Sequence, residues 1–282
     1  VRKPSVCRDD AARAAESTSG VPQEPHVPYA LPDEDQWWER FFESPDSIKL
    51  SYFPAPPETQ RELDGIPHLL RLRPRDRILD ACCGMGRHAV PLAAIYPHIV
   101  GVDRSAMMVG MAADAAARAR VPCRFVRADA GRLPFRAGQF TKALNLFNSF
   151  GYCETDEGNV RVLAETARCL EPGGVFLLEI RNKVQQLVAV PYSRGERLAA
   201  GLRVRLHCYY DASRRRLNSE WTDADDPDVL HHFASIRLYD PGEIKSMLTS
   251  AGLRVVGLYG DYDGAPFERW HWKLILLCRK DP

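Results

Sequence analysis

The chain has 282 residues, 45% of them hydrophobic and 27% charged, which is enough for one large α/β domain with an elaboration. A formal net charge of +1 gives no bulk electrostatic reason to expect nucleic acid or a membrane as partner, and no run of about eighteen apolar residues is present to span a bilayer. The eight Cys include no Cys-x-x-Cys pair, and Val1 to Gly20 lacks an apolar signal core; a reduced, cytoplasmic protein without a metal site is expected.

Residues 1–32 mix Arg, Ala, Ser and Pro and are expected to form a mobile tail. Trp37, Trp38, Phe41 and Phe42 then fall on helical spacing. Such a stripe either packs on the core or closes over a pocket, and residues 33–72 are assigned as an N-terminal helical lid. Pro54, Pro56 and Pro57 break the chain. Glu58–Leu72 follows as an amphipathic helix with Leu63, Ile66, Leu69 and Leu70 on one side.

From Arg77 strand and helix alternate, the pattern of a parallel sheet with crossover helices. Strands are predicted over 77–81, 99–103, 123–129, 140–147 and 175–180. Helices are predicted over 88–95, 106–120 and 157–170, the last stopped by Pro172-Gly173-Gly174. Residues 73–182 would form the core. The pattern then changes: 202–210, 217–222 and 231–239 read as successive strands with short polar turns, hence antiparallel, and 183–239 is assigned as an inserted β-rich cap. A helix over 241–251 and strands over 253–259 and 273–278 would return residues 240–282 to the main sheet. The expected fold is α/β, Rossmann-like and doubly wound, with a mostly parallel seven-stranded sheet.

The most informative segment is Asp80-Ala81-Cys82-Cys83-Gly84-Met85-Gly86-Arg87-His88-Ala89, between a strand and a helix. Gly84 and Gly86 permit a tight turn and a close ligand approach, and the helix start offers free N–H groups. The dinucleotide fingerprint wants a third Gly, and Ala89 stands there instead. Asp80 suits a cationic group such as the amino group of a methionine moiety and would be unwelcome beside a pyrophosphate. Asp103, about twenty residues on, can accept from ribose hydroxyls. Asp129, ending the third predicted strand, can accept from an adenine amino group. Three carboxylates at the C-terminal ends of three successive strands are the arrangement a ligand crevice needs.

Residues 31–280 resemble the class I S-adenosylmethionine (SAM)-dependent methyltransferases, in particular a bacterial subgroup with a Cys-Cys-Gly turn followed by Gly-Arg-His. The resemblance is carried by 80–89, Gly101-Val102-Asp103-Arg104-Ser105, Ala128-Asp129-Ala130 with Leu133-Pro134-Phe135, Leu170-Glu171-Pro172-Gly173-Gly174, and Asn148-Ser149-Phe150-Gly151-Tyr152. It implies SAM as cofactor, S-adenosylhomocysteine as product, and a cofactor site of Asp80, Cys82, Gly84, Gly86, Arg87, Asp103, Arg104, Asp129, Ala130, Phe147 and Asn148. Asp80, Gly84 and Gly86 would hold the methionine portion, Asp103 the ribose, and Asp129 with Ala130 the adenine. Phe147 and Asn148 would lie near the sulfonium, and Arg87 would reach the cofactor carboxylate or remain an ordinary surface arginine. Two departures stand out: Cys82 replaces the family's first glycine, and Thr141 replaces an Asp at the start of the fourth strand.

Methyl transfer from a sulfonium is an in-line displacement with a good leaving group, so position and desolvation matter most, and a base is needed only for a nucleophile that arrives protonated. The sequence offers Trp37, Tyr52, Phe150, Tyr152, Arg181, Tyr209 and Trp221 as substrate-binding candidates, and Tyr152, His207 and His231 as catalytic candidates. Core packing accounts for any single aromatic among them, and the two His equally fit structural positions. Arg214-Arg215-Arg216 reads as a solvated hairpin tip, with phosphate contact as the alternative. The lid and cap favour a small-molecule acceptor methylated at oxygen or nitrogen. RNA or protein methylation, non-catalytic SAM binding, and a nicotinamide dehydrogenase are the alternatives.

Overall fold

The computed structural model describes residues 37–44, 56–197, 203–226 and 230–281. The segment 1–32 and Tyr52 lie outside them, as does the side chain of His231.

Two helices precede the sheet: α1 (Trp37–Phe41) and α2 (Pro56–Leu70). Pro56 and Pro57 open α2 rather than only breaking the chain, since a first-turn N–H has no intrahelical partner to lose. There follow β1 (Ile78–Ala81), α3 (Ala89–Leu92), β2 (Ile99–Asp103), α4 (Ala106–Ala119), β3 (Arg124–Arg127), β4 (Phe140–Asn145), α5 (Asp156–Cys169) and β5 (Leu170–Arg181). The seven-stranded sheet is closed by β10 (Leu253–Tyr259) and β11 (Lys273–Lys280), with α7 (Pro241–Ser250) before them. Its order is β10-β11-β5-β4-β1-β2-β3. β11 runs antiparallel to both neighbours, and the pairs from β5 through β3 are parallel. This is the Rossmann-like, mostly parallel seven-stranded sheet that the sequence predicts.

Sequence chemistry explains the joints. β1 is buried at every position, as a central parallel strand must be. Ser105 caps α4 by accepting from Met108 N, and Arg120 ends it in the left-handed region. Thr155 caps α5, with Asp156 and Glu157 in the first turn. Asp240 and Glu243 form a reciprocal capping box on α7. The Pro172-Gly173-Gly174 segment lies inside β5, which pairs Leu170 with Phe140, slips, and resumes at Val175 opposite Lys142.

The second sheet is antiparallel, in the order β6-β7-β8-β9: β6 (Tyr192–Arg197), β7 (Arg203–Asp211), β8 (Arg216–Asp223) and β9 (Leu230–Arg237). Three of its strands are predicted from the sequence; β6 and the preceding α6 (Lys183–Ala189) are not. β6 reads Tyr-Ser-Arg-Gly-Glu-Arg, with no apolar alternation, and is a strand by its backbone pairing to β7. α6 is inside out: Gln186 is buried while Val184, Leu187 and Val188 are exposed.

Two apolar cores flank the main sheet. One gathers Leu163, Phe176, Leu178, Ile244 and Leu276 under α5 and α7, and the other gathers Ile66, Leu70, Leu144, Leu177 and Ile275 under α2. Each fully buried side chain of this size contributes roughly 1.5–3 kcal/mol. Together they fix the C-terminal ends of β1, β2 and β4, the edge at which open parallel sheets take their ligands.

Candidate functional site

The turn after β1 is built from unusual backbone. Cys82, Gly84 and Gly86 have φ of 59°, 54° and 79°, a region that favours glycine. Cys82 therefore holds a position where a glycine, as in the methyltransferases that the turn resembles, has a physical reason. At Gly86 a Cβ would meet Val90 at 2.9 Å and Phe125 at 3.1 Å, so the turn is pressed onto β3 and α3. At Gly84 it would meet nothing within 4 Å, leaving backbone open to a ligand. Asp103 ties the turn down: its carboxylate accepts from Gly84 N at 2.8 Å and from Ser105 N at 3.0 Å. Burial raises the Asp103 carboxyl above its ordinary range, against those two N–H groups.

Asp80 is 2% exposed, and its Oδ2 is buried without a hydrogen-bond partner. Burial, reinforced by the Asp103 charge and opposed by Arg87, pushes its pKa up to about 7. Leaving such an atom unsatisfied costs roughly 1–3 kcal/mol. A second unsatisfied atom sits nearby. Arg87 lies over the Phe147 ring at 4.6 Å and donates from Nη1 to Thr59 and Glu62, while its Nη2 is buried without a partner. The sequence leaves open whether Arg87 is a surface residue; it is mostly buried, fixed between Glu62 and the Phe147 ring.

What fixes it is Glu62, which sequence reasoning missed. Glu62 is 1% exposed on α2 and takes Arg87, His88 Nε2 at 2.9 Å and Lys273 Nζ at 3.0 Å. Burial alone would raise its pKa, but the His88 bond and the Lys273 and Arg87 charges outweigh it and pull the value down to about 2. Burial in turn lowers the pKa of His88, against the pull of Glu62. A signal was present: Glu62 shares the helical stripe of Ile66 and Leu70, and a lone carboxylate in an apolar stripe asks for a buried cation.

The loop after β4 is equally distinctive. Phe147 and Asn148 have φ of 55° and 57°, rare for residues with side chains. Phe147 N donates to Glu179, which also accepts from Tyr262. Asn145 Oδ1 and Asn148 Oδ1 are buried without partners. Beyond them Tyr152 stacks on Phe42 at 5.9 Å and meets Trp37 edge-on at 5.1 Å. Burial drives its phenol far above the ordinary range, so the ring stays protonated near neutral pH.

α1 lies between this loop and the second sheet. Phe41 contacts Trp221 at 5.6 Å and His232 at 5.5 Å. Trp37 Nε1 and Trp221 Nε1 are both buried without partners, as is Arg181 Nε, whose Nη1 donates to Gln186. Ser105 Oγ donates to Phe42 O at 2.6 Å, which ties α1 to the end of β2.

Other expected residues fall elsewhere. Phe150 is 3% exposed and packs on Tyr239 in the core; beyond the turn at Gly151 it is Tyr152 that meets α1. Strand parity separates His207 and Tyr209 from Trp221. Leu206, Trp221 and His232 are cross-strand neighbours on the face that meets α1, and His207 and Glu220 lie on the other. Tyr209 donates to Glu220, and His207 stacks on Tyr209 and bonds Ser193. The structure thus does not bring His207 or Tyr209 to the crevice. Arg214 and Arg215 are exposed near the β7–β8 turn, but Arg216 is buried and is no solvated tip. Arg104 and Asp129 are exposed at the crevice rim, 3.6 Å apart, with Asp129 capping Gly131 N and Ala130 half-buried beside it. Among the described residues no cluster of His, Cys, Asp and Glu could hold a metal, and no helix is long and apolar enough to cross a membrane.

Comparison with known proteins bears on the fold and the activity. Residues 78–174 match the family model described as a methyltransferase domain. The chain is 28% identical over 230 residues to dTDP-3-amino-3,4,6-trideoxy-alpha-D-glucopyranose N,N-dimethyltransferase of Streptomyces venezuelae, covering 78% of this chain and 93% of the relative. The CcbJ methyltransferase of Streptomyces caelestis superposes with a TM-score of 0.73 at 18% identity, covering 89% of this chain and 100% of that one. Streptomyces venezuelae DesVI superposes with a TM-score of 0.57 at 25% identity, covering 80% and 92%.

Proposed function

We propose that this chain, a SAM-dependent methyltransferase, transfers the methyl group to a nitrogen or oxygen of an oxygen-rich small molecule enclosed between α1, the loop after β4 and the second sheet. The observation that carries the cofactor assignment is the pair of unsatisfied atoms in the crevice. Asp80 Oδ2 lacks a donor and Arg87 Nη2 lacks an acceptor, and the ammonium and carboxylate of a methionine moiety supply one of each. Gly84 and Cys82 would pass close to that moiety, and Asp103, with lone pairs to spare beyond its two main-chain bonds, would take the ribose hydroxyls. Asp129, Ala130 and Arg104 would border the adenine, and Phe147 and Asn148 the sulfonium. SAM supplies an activated methyl whose carbon–sulfur bond breaks as the bond to the acceptor forms.

The chain's own part is positional. Trp37, Phe42 and Tyr152 would exclude water from the reacting centre, and Arg87, held by Glu62, would fix one end of the cofactor. Tyr152 is too firmly protonated to act as a phenolate base; its hydroxyl would orient the acceptor, and an amine binding as the free base needs no further base. The buried N–H groups of Trp37, Trp221 and Arg181 would donate to acceptor oxygens. That donor set supports a sugar-like molecule, and an amino sugar is what the Streptomyces venezuelae relative is named for methylating. The Cys-Cys-Gly turn followed by Gly-Arg-His would place the chain in the bacterial methyltransferase subgroup with that turn, and residues 33–72 and 183–239 would act as lid and cap. The free cysteines suit a reducing, cytoplasmic setting.

The test incubates the protein with methyl-labelled SAM and a cell extract divided into small-molecule, RNA and protein pools. Label in the small-molecule pool is expected. Label in RNA or protein would overturn the acceptor class, and label in none, with micromolar SAM binding retained, would favour a non-catalytic SAM-binding protein.

A further inference from the structure

A buried arginine of the second sheet reaches into the loop that would face the reacting methyl, where Arg237 N also donates to Gly151 O at 2.9 Å and Asn159 Nδ2 to Cys153 O at 3.2 Å. Arg216, 7% exposed at the start of β8, sends its guanidinium into the curl of residues 151–154. Nη1 donates to Cys153 O at 2.9 Å and Glu154 O at 3.5 Å, and Nη2 donates to Tyr152 O at 3.2 Å and Gly151 O at 3.3 Å. The rest of the fork is anchored in the sheet: Nε donates to Ser235 Oγ at 2.8 Å and Nη2 to Ser235 O at 2.7 Å. Ser235 Oγ in turn donates to Asn218 Oδ1 at 2.7 Å. Four successive main-chain carbonyls therefore turn toward one cation.

The loop needs such a hold. Phe147, Asn148 and Gly151 all have positive φ, with Gly151 at 95° and no room for a Cβ against Arg237 O. Non-glycine residues in this region are strained and persist only where their surroundings over-determine them. Four carbonyls aimed at one point also repel one another without a positive charge among them. A guanidinium offers five N–H donors in a flat fork, whereas lysine offers one point charge with three donors.

We propose that Arg216 is a positioning residue for methyl transfer: it sets the geometry of residues 151–154, and so of the Tyr152 ring against Trp37 and Phe42, without touching cofactor or acceptor. The inference rests on the reading above that this loop faces the acceptor. It assigns the second sheet a role in catalysis beyond covering the crevice, since β8 and β9 together carry the clamp.

The test compares wild type with Arg216→Lys and the milder Ser235→Ala in three readouts: SAM affinity, steady-state transfer to the dTDP-amino sugar named for the relative, and amide hydrogen exchange of residues 151–155. Arg216→Lys should speed exchange in that segment ten-fold or more and lower kcat at least ten-fold, with SAM affinity within two-fold of wild type. Ser235→Ala should shift exchange and kcat in the same direction by about three-fold, and it decides the matter if Arg216→Lys fails to fold. Unchanged exchange and kcat would overturn the proposal. So would a loss of kcat matched by an equal loss of SAM affinity, or exchange that rises evenly across the domain, because either marks a general structural role. If wild type methylates none of this sugar, kcat is read on the acceptor isolated from the labelled small-molecule pool, and exchange that stays unchanged in residues 151–155 overturns the proposal whichever acceptor is used.

Discussion

Asp80 gives the sharpest quantitative consequence of the proposed cofactor site. Its ordinary pKa is 3.8, and burial with the neighbouring Asp103 charge raises it to about 7. The sign follows directly: the unfolded chain gives up this proton near pH 4, while the folded chain holds it until pH 7. The ionised carboxylate therefore costs the folded, ligand-free protein stability, increasingly from pH 4 to pH 7 and by a constant amount above. At about 1.4 kcal/mol per pH unit, the ceiling is on the order of 4 kcal/mol. Binding of an ammonium removes that penalty, so the cofactor should select the ionised form. Apparent affinity then scales with the ionised fraction, which falls from about one half at pH 7 to about 3% at pH 5.5. SAM should bind about fifteen-fold more weakly at pH 5.5, in a range where an α-ammonium keeps its charge. Calorimetry in two buffers of different ionisation heat measures both the affinity and the released proton. Asp80→Asn should abolish this pH dependence, weaken SAM strongly, and raise the thermal midpoint of the ligand-free protein at pH 8 more than at pH 5. Affinity that stays flat over this range in wild type, or the same slope in Asp80→Asn, would refute the reasoning.

Three further outcomes are expected. Tyr152→Phe should slow turnover while leaving SAM affinity intact, and unchanged turnover would remove its hydroxyl from the chemistry. Trp221→Phe keeps the ring against Phe41 but deletes an unpartnered N–H; acceptor KM should rise about three- to ten-fold, the worth of one neutral hydrogen bond, with SAM affinity unmoved. Gly86→Ala should lower the thermal midpoint more than Gly84→Ala, because its Cβ meets Val90 and Phe125 while that of Gly84 meets open space; equal losses would show that backbone strain alone sets the cost.

The parts of the fold legible in the sequence are those where local chemistry and tertiary role coincide. Asp80 through Gly86 could be read because tight turns demand small residues and a ligand crevice demands carboxylates at strand ends. The strands of the main sheet could be read from their apolar runs. β6 could not, because an edge strand needs only backbone pairing. α6 could not, because it buries Gln186 and exposes Val188. Tyr152 and Phe150 are two residues apart in one aromatic loop, on either side of the positive-φ turn at Gly151, and aromatic character alone does not say which enters the core. Glu62 and Arg216 share a different obstacle. A charged residue is read as solvated unless its partners are known, and their partners lie 19 and more residues away, in Arg87, Lys273, Ser235 and the carbonyls of the 151–154 loop. His207 and Tyr209 were candidates by type alone; pairing with β8 places them on the face away from α1.

The most direct test of the proposed cofactor site is a crystal structure with S-adenosylhomocysteine bound. It should place the amino group of the ligand within hydrogen-bond distance of Asp80 Oδ2, its carboxylate on Arg87 Nη2, and its ribose hydroxyls on Asp103. A ligand whose amino acid end points away from Asp80 and Arg87, with both atoms still unpartnered, would contradict the account.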